Sequence, residues 1–190
     1  MEQINNMNYV DLGLPSGIKW ATCNIGANSP EEYGDYFVWN EIETKEMQTV
    51  RNFKTVVRKF LGLSKIDKRK KIRDKAKANW RDNWRLPTNR EMEELVDKCT
   101  WTWTPQSGVN GYKVIGPNGN SIFLPAAGLY FSVSELRYAR ISGNYWSSTP
   151  NESSYDSAYS LHFIKDLFKE EHYVRQDDLR YKFTVRLVSE

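Results

Sequence analysis

Cysteine and histidine are scarce in this chain of 190 residues, which contains two of each. Cys23 and Cys99 lie far apart and fit no Cys-x-x-Cys or Cys/His spacing of a metal site. The two thiols either pair or stay reduced and buried, and the second state is the expected one. No nucleophile motif surrounds His162 or His172, so we expect a non-enzymatic protein without a metal or a cofactor.

Long apolar runs are missing as well. No stretch approaches the roughly 20 apolar residues that span a bilayer, and residues 1–8 are polar, unlike the apolar stretch of a signal peptide. We therefore expect no membrane span. The polar start does not indicate a cellular location. The composition does not indicate an oligomeric state.

Aromatic residues and an uneven charge distribution are what the chain has in abundance. Phe, Trp and Tyr make up 14% of the residues, which is typical of recognition surfaces and equally of cores that fill the space between loops. Residues 51–85 hold 14 Lys or Arg and three Asp, a local net charge of +11, so the remainder carries −8 of the total of +3. We predict a single domain over 1–190 with a basic, partly helical insertion at about 50–79.

Capping signals and periodicity outline the secondary structure. Thr88-Asn89-Arg90-Glu91 is a capping box, and the apolar stripe behind it predicts a helix that runs to Cys99. A second helix is predicted over 50–61, and a short helical turn over 29–34. Alternation and turn residues predict strands at 9–14, 18–23, 36–39, 112–115, 121–124, 145–148, 158–163, 172–175 and 183–188.

Several short strings occur in register along nearly the whole chain. They include Val10-Asp11-Leu12-Gly13-Leu14-Pro15-Ser16-Gly17, Trp84-Arg85-Leu86-Pro87-Thr88, Gly116-Pro117-Asn118-Gly119-Asn120, Tyr145-Trp146-Ser147-Ser148-Thr149 and Val185-Arg186, with further strings at 20–27, 34–37 and 121–128. Together they resemble the Fibrobacter succinogenes major paralogous domain, a family of bacterial surface-associated modules related to the C-type-lectin-like fold.

The resemblance implies an α+β fold of the C-type-lectin-like type, with short antiparallel strands, two to three helices, long loops and paired terminal strands. It also implies a cell-surface or virion location. Calcium-dependent lectins of related fold carry Trp-Asn-Asp where this chain has Trp146-Ser147-Ser148, and serine hydroxyls do not replace two such oxygen ligands. We therefore expect no lectin-type calcium site.

Related variable proteins of diversity-generating retroelements place their ligand-facing residues in the last third. Here that third is rich in Tyr, Ser and Arg, a composition that combines rigid contact area with adaptable hydrogen bonds. We expect it to bind a protein or glycan ligand, although a polar loop region between framework strands is the alternative. The expected ligand-binding residues are Tyr130, Ser132, Arg137, Tyr138, Arg140, Asn144, Asn151, Tyr155, His172, Tyr173 and Arg175.

The basic segment departs from the family pattern and offers an alternative function. Its densest patch comprises Lys68, Arg69, Lys70, Lys71 and Arg73. Together with nearby Trp80 and Trp84, this patch could neutralise phosphates and stack bases, so nucleic-acid binding through 51–85 is the alternative to a solvated helix. A third reading is a structural subunit of a surface fibre or virion.

Overall fold

The computed structural model describes residues 2–4, 7–39, 84–131, 135–166 and 170–190. In these residues, strands form four small antiparallel sheets beside one helix. The strands are β1 (Glu2–Ile4), β2 (Met7–Asp11), β3 (Lys19–Ala21), β4 (Phe37–Val38), β5 (Trp84–Arg85), β6 (Thr100–Gln106), β7 (Val109–Ile115), β8 (Ser121–Pro125), β9 (Leu129–Tyr130), β10 (Leu136–Arg137), β11 (Ser142–Pro150), β12 (Ser157–Lys165), β13 (Glu170–Asp178), β14 (Lys182–Phe183) and β15 (Val188–Ser189), and helix α1 spans Asn89–Lys98.

The predicted α+β class with two to three helices is wrong. Across the described ranges the structure is β-rich and α1 is the one helix, so the C-type-lectin-like assignment is not retained. The predicted helical turn at 29–34 closes a single bond, from Glu32 N–H to the Ser29 carbonyl. Gly34 then follows at a φ of 73°, which stops the turn before a helix can propagate. The helix predicted over 50–61 lies outside the described residues.

The terminal strands share a sheet, but the predicted direct pairing between them is also wrong. The sheet order is β1-β2-β3-β15-β5, so β3 lies between the early strand β2 and the last strand. The strand predicted over 183–188 is divided in two, because β14 pairs with β4 and β9 whereas β15 pairs with β3 and β5. The chain therefore crosses from one sheet to another between Phe183 and Val188.

Helix α1 begins at the predicted capping box. Thr88 Oγ1 accepts from Glu91 N–H at 3.3 Å, and Glu91 accepts from Thr88 N–H at 2.7 Å. Burial would raise the pKa of Glu91, but hydrogen bonds from Arg85 and Thr88 outweigh it and hold the pKa below its ordinary value. Met92 and Leu95 are the buried side chains of α1. No helix in the described part of the chain is long and apolar enough for a bilayer.

Two apolar clusters flank the sheet formed by β11, β12 and β13, which we call the central sheet. The first core gathers residues from α1, β7 and β8 and takes Tyr145, Leu161 and Phe163 from the central sheet. The second core gathers Trp84, Leu129, Phe183 and Val185 and takes Trp146 and Ala158 from it. Because neighbouring residues of a strand face opposite sides, the central sheet contacts a core on each face.

Arg186 lies in the crossing segment with 1% of its surface exposed. Its guanidinium donates to Asn24 Oδ1 at 2.9 Å, to the carbonyls of Ala21 and Thr22 at 2.9 and 2.6 Å, and to the Phe123 carbonyl at 2.9 Å. Burial lowers the pKa of this arginine. Its hydrogen bonds connect the first hairpin, the loop after it and β8 to the C-terminal segment.

We predict that Arg186→Met lowers the free energy of unfolding by about 3 kcal/mol or more, because the buried oxygen acceptors lose their donor. Denaturant titration followed by tryptophan fluorescence measures the change. Arg180→Met is the matched control, since the Arg180 side chain is 85% exposed, and its unfolding midpoint should stay at the wild-type value. Equal midpoints for Arg186→Met and wild type would contradict a structural role of the buried guanidinium.

Candidate ligand-binding site

The face of the central sheet that contacts the second core carries a polar network, formed by Asn144, Ser160, His162, Arg175 and Asp177. The strand register places them together, because Asn144 lies opposite His162, Ser160 opposite Arg175, and Ala158 opposite Asp177. Residues at period two along neighbouring strands share a face. The polar network thus results from the alternation of side chains along each strand and from the register between the strands.

Asn144 connects the members of the polar network. Its Oδ1 lies 2.9 Å from His162 Nδ1 and accepts from Arg175 Nη2 at 3.2 Å. Its Nδ2 donates to the Gly128 carbonyl and to Ser142 Oγ, each at 3.2 Å. Since an amide oxygen only accepts, the His162 Nδ1 atom carries the proton in this arrangement.

Asp177 orients the arginine of the polar network. Its Oδ2 accepts from Arg175 Nε at 2.8 Å and from Ser160 Oγ at 2.5 Å. Ser160 and Asn144 are fully buried, and Asp177 and His162 nearly so, whereas 31% of the Arg175 side chain is exposed. The network therefore reaches solvent mainly through an arginine whose direction is fixed by two buried partners.

An aromatic ladder runs from the second core to the surface. It comprises the ring contacts Trp146–Phe183 at 4.2 Å, Phe183–Tyr181 at 6.1 Å, Tyr181–Phe131 at 5.1 Å and Phe131–Tyr138 at 6.1 Å between centroids. Trp146 is fully buried, while Phe131 and Tyr138 are 40% and 47% exposed. Trp146 is also the residue opposite Ser160, so the ladder and the polar network adjoin at Trp146.

The turn that presents Tyr138 has an unusual backbone. Tyr138 and Arg140 adopt φ values of 57° and 75°, a region that side chains other than glycine rarely enter. Arg140 N–H donates to the Ala126 carbonyl at 2.8 Å, and Ser142 N–H donates to the Tyr138 carbonyl at 2.9 Å. These bonds hold the turn in a conformation that costs free energy.

The structure brings four of the expected ligand-binding residues into this region. Asn144 and Arg175 belong to the polar network, and Tyr173 lies beside it, with its ring 5.3 Å from that of His162. Tyr138 ends the aromatic ladder. Asn144 has no exposed surface, and its Oδ1 accepts a hydrogen bond from Arg175.

The other expected residues belong neither to the polar network nor to the aromatic ladder. The Tyr130 ring packs edge-on against Tyr36, with 4.9 Å between the ring centroids. Arg137 forms an ion pair with Glu135, in which Nη2 and Oε2 are 2.7 Å apart. The turn between β11 and β12 holds Asn151 and the 90% exposed Tyr155. Arg140 is exposed in the turn after β10. Ser132 and the basic patch of Lys68, Arg69, Lys70, Lys71 and Arg73 lie outside the described residues.

His172, also among the expected ligand-binding residues, lies on the other face of the central sheet from the polar network. Its ring stacks on Trp101 at 4.6 Å and lies 5.8 Å from Tyr112, on the face of the central sheet that meets the first core. Tyr173 is the next residue in the chain, and consecutive residues of a strand face opposite sides of the sheet. Burial lowers the pKa of His172, partly opposed by Glu170.

Sequence reasoning missed Ser160, His162, Asp177, Phe131 and Tyr181. A usable signal exists for the first three, because polar residues occupy every second position of β13 from 171 to 177, and Ser160 and His162 alternate on the same face of β12. The two aromatic residues gave no such signal. Phe131 and Tyr181 are close only because β9 and β14 are neighbouring strands.

A comparison with known protein families assigns the chain to a family. The family described as the Lcl C-terminal domain matches residues 14–189. The chain belongs to this family. The match confirms the family assignment that was made from the short sequence strings. No curated protein and no solved structure matches this Lcl C-terminal domain.

Metal ligation has no support in the described residues of this Lcl C-terminal domain, where no cluster of three or more His, Cys, Asp or Glu could hold an ion. Cys23 and Cys99 are free thiols, each half-buried. Burial, together with Glu94, raises the pKa of the Cys99 thiol to about 11. Cys99 is therefore a poor nucleophile at neutral pH.

We predict that His172 makes the domain less stable in acid. Its folded-state pKa lies below the ordinary value of 6.5, so protons bind the unfolded chain more readily as the pH falls through 6.5, and stability drops until the folded-state pKa is passed. His172→Phe keeps the stacking on Trp101 and removes the pH dependence of stability that arises from His172. Urea titrations between pH 8 and pH 5 should show the wild type losing stability relative to His172→Phe; parallel pH profiles would contradict the burial of a neutral imidazole.

Proposed function

We propose that this Lcl C-terminal domain is a non-enzymatic binding module. In this proposal, the exposed end of the aromatic ladder and Arg175 contact a protein or glycan ligand. Phe131 and Tyr138 supply rigid contact area, while Arg175 supplies directed hydrogen-bond donors. The observation that carries the proposal is the junction at Trp146, where the ladder and the polar network adjoin.

The exposure of Phe131 and Tyr138 supports a contact surface. Large apolar side chains at the surface of a protein mark interaction sites when they are grouped, and these two rings lie 6.1 Å apart. Tyr181 and Phe183 connect them to the buried Trp146, so little side-chain freedom is left to lose on binding. Preorganised aromatic groups are the common anchors of binding surfaces.

The fixed direction of Arg175 supports the same role. Its Nε and one Nη2 hydrogen are occupied by Asp177 and Asn144, whereas Nη1 makes no hydrogen bond to any residue that the structure describes. A guanidinium held in this way offers its remaining donors at a fixed angle. Carbonyl, hydroxyl and carboxylate oxygens of a ligand are suitable acceptors.

The hydrogen bonds of Ser160 and His162 support the non-enzymatic part of the proposal. A serine nucleophile requires a hydrogen bond to a general base, usually histidine. Ser160 donates to Asp177 instead, and His162 directs Nδ1 to Asn144. Both side chains are buried, so neither is placed for attack on a substrate.

The nucleic-acid alternative rests on residues 51–85, of which only Trp84 and Arg85 are described. Trp84 is 6% exposed and belongs to the second core, so it presents no face for a base. Arg85 makes two hydrogen bonds to Glu91 at 2.8 and 2.6 Å. These two residues lend the alternative no support.

Diversification of the binding surface is a further part of the proposal. The ladder and the network lie entirely between Phe131 and Phe183, within the last third that variable proteins alter. The genomic neighbourhood provides the test. A reverse transcriptase gene and a near-copy of the coding segment for this third, differing at adenines, would support diversification, and their absence would leave a fixed binding specificity.

We predict that Phe131→Ala, Tyr138→Ala and Arg175→Ala each weaken binding by about tenfold or more, because each removes an anchor from the surface. A glycan array and a displayed protein library identify a ligand, and calorimetry then measures each affinity. Tyr155→Ala is the matched control, as it removes an exposed tyrosine from a different turn, and it should bind like wild type. A loss with Tyr155→Ala alone would move the site to the turn between β11 and β12 and contradict the proposal.

A further inference from the structure

A series of side-chain hydrogen bonds, which we call the amide series, lies at one end of the central sheet. It begins in the turn between β11 and β12, where Ser153 N–H donates to Asn151 Oδ1 at 3.0 Å. Asn151 Nδ2 donates to Ser157 Oγ and to Gln176 Oε1, each at 2.9 Å. Gln176 Nε2 donates in turn to the Tyr159 hydroxyl at 3.1 Å. The amide series therefore ends at the phenol of Tyr159.

A backbone group determines the direction of every bond in the amide series. The Ser153 N–H can only donate, so the side-chain atom of Asn151 that faces it is the carbonyl oxygen. The other atom of this amide is the nitrogen, which donates, so Gln176 presents its oxygen to Asn151 and its nitrogen to Tyr159. Since the Tyr159 oxygen accepts from Gln176, its own hydrogen is available to an acceptor outside the amide series.

Two donors are left over at the end of the amide series. The second hydrogen of Gln176 Nε2 and the hydroxyl hydrogen of Tyr159 have no acceptor among the residues that the structure describes. Gln176 is exposed, Tyr159 is half-buried, and the two residues lie opposite each other in β13 and β12. The donors thus lie side by side at the surface, on atoms 3.1 Å apart. Two donors at this spacing suit one carbonyl oxygen, which has two lone pairs.

The charges around the two donors disfavour an anionic ligand. Glu152 and Asp156 are exposed in the turn, and residues 151–164 contain no Lys or Arg. Asp178 in β13 is paired with Arg180 at 2.6 Å. The local charge is therefore negative, which repels carboxylate and sulfate groups. A neutral carbonyl group is the acceptor that fits both the donors and the charge.

We propose that Gln176 and Tyr159 form a second binding site, which takes a neutral acetamido sugar. The carbonyl oxygen of the acetamido group accepts from Gln176 Nε2 and from the Tyr159 hydroxyl. No other aromatic ring packs on the Tyr159 ring within the described ranges, so the ring is available to the acetyl methyl group and to the apolar side of the sugar ring.

A sugar fits this site better than a peptide does. A peptide backbone presents N–H and C=O groups in alternation and needs acceptors as well as donors. The two amide oxygens of the series, Asn151 Oδ1 and Gln176 Oε1, each already accept a hydrogen bond. The single N–H of an acetamido group on a sugar can instead stay in water.

The second binding site and the surface of the proposed function lie on opposite faces of the central sheet. Tyr159 shares its face with Leu161, which belongs to the first core. The polar network instead takes Ser160 and His162 from the same strand, and consecutive residues of a strand face opposite sides. Each site can therefore be tested without the other, and either proposal can fail alone.

Titration of the full chain with the trimer of N-acetylglucosamine tests the second binding site. NMR chemical shifts of the backbone and side-chain amides should show millimolar binding, with changes at the Gln176 side chain. Cellotriose carries hydroxyl groups in place of the acetamido groups and should leave these signals unchanged. No binding of the trimer overturns the proposal, as does equal binding of cellotriose. Equally tight binding of N-acetylglycinamide would assign the donors to peptides and also overturn it.

Two variants test the donors. Tyr159→Phe keeps the ring, removes one donor and should raise the dissociation constant of the trimer by about tenfold. Gln176→Glu keeps an acceptor for Asn151, but a carboxylate only accepts, so the Tyr159 hydroxyl turns to donate to it. Both outward donors are then lost, and binding of the trimer should be lost with them. Unchanged affinity in both variants overturns the proposal.

Two further variants are the controls. Tyr155→Phe removes a hydroxyl from the 90% exposed tyrosine of the neighbouring turn and should bind the trimer like wild type. Arg175→Ala alters the surface of the proposed function and should also leave the affinity for the trimer unchanged. Loss of trimer binding in Arg175→Ala would place the sugar on the other face of the central sheet and overturn the second binding site.

Discussion

The buried guanidinium of Arg186 is the interaction on which the arrangement of the sheets depends. It lies between β14 and β15, where the chain leaves one sheet and enters another, and its acceptors belong to the first hairpin, the following loop and β8. No described carboxylate neutralises it; three carbonyl groups and an amide oxygen surround it. Only a planar group with several diverging donors can satisfy acceptors in such different directions, so lysine could not take this position.

The crossing at Arg186 explains how one short C-terminal segment supports both cores. Phe183 stacks on Trp146, Val185 and Leu187 fill the second core, and Val188 belongs to the first. The two cores thereby cover both faces of the central sheet. A buried polar group on this sheet therefore needs a hydrogen-bond partner within the protein. The polar network meets this condition, because its buried members bond to one another and only Arg175 extends to solvent.

Local signals in the sequence were sufficient for some features and insufficient for others. The capping box at Thr88 and the first hairpin depend on neighbouring residues, and both form as predicted. The division of 183–188 between two sheets depends on distant partners of Arg186, which no local pattern reveals. His172 and Tyr173 show the same limit within the site: alternation separates their faces, but it does not tell which face meets the first core.

The strained turn at Tyr138 is the feature of the proposed binding surface that packing within the chain explains least. A left-handed conformation costs about 1 kcal/mol or more for a residue with a side chain, and a glycine would avoid that cost. The tyrosine at this position gains little by burial, since 47% of it is exposed. Its ring is nevertheless held against Phe131, at the end of a chain of rings that begins in the core. On the proposed function, contact between the Tyr138 ring and a ligand offsets this cost, and we expect Tyr138 to be the residue at which that contact is strongest.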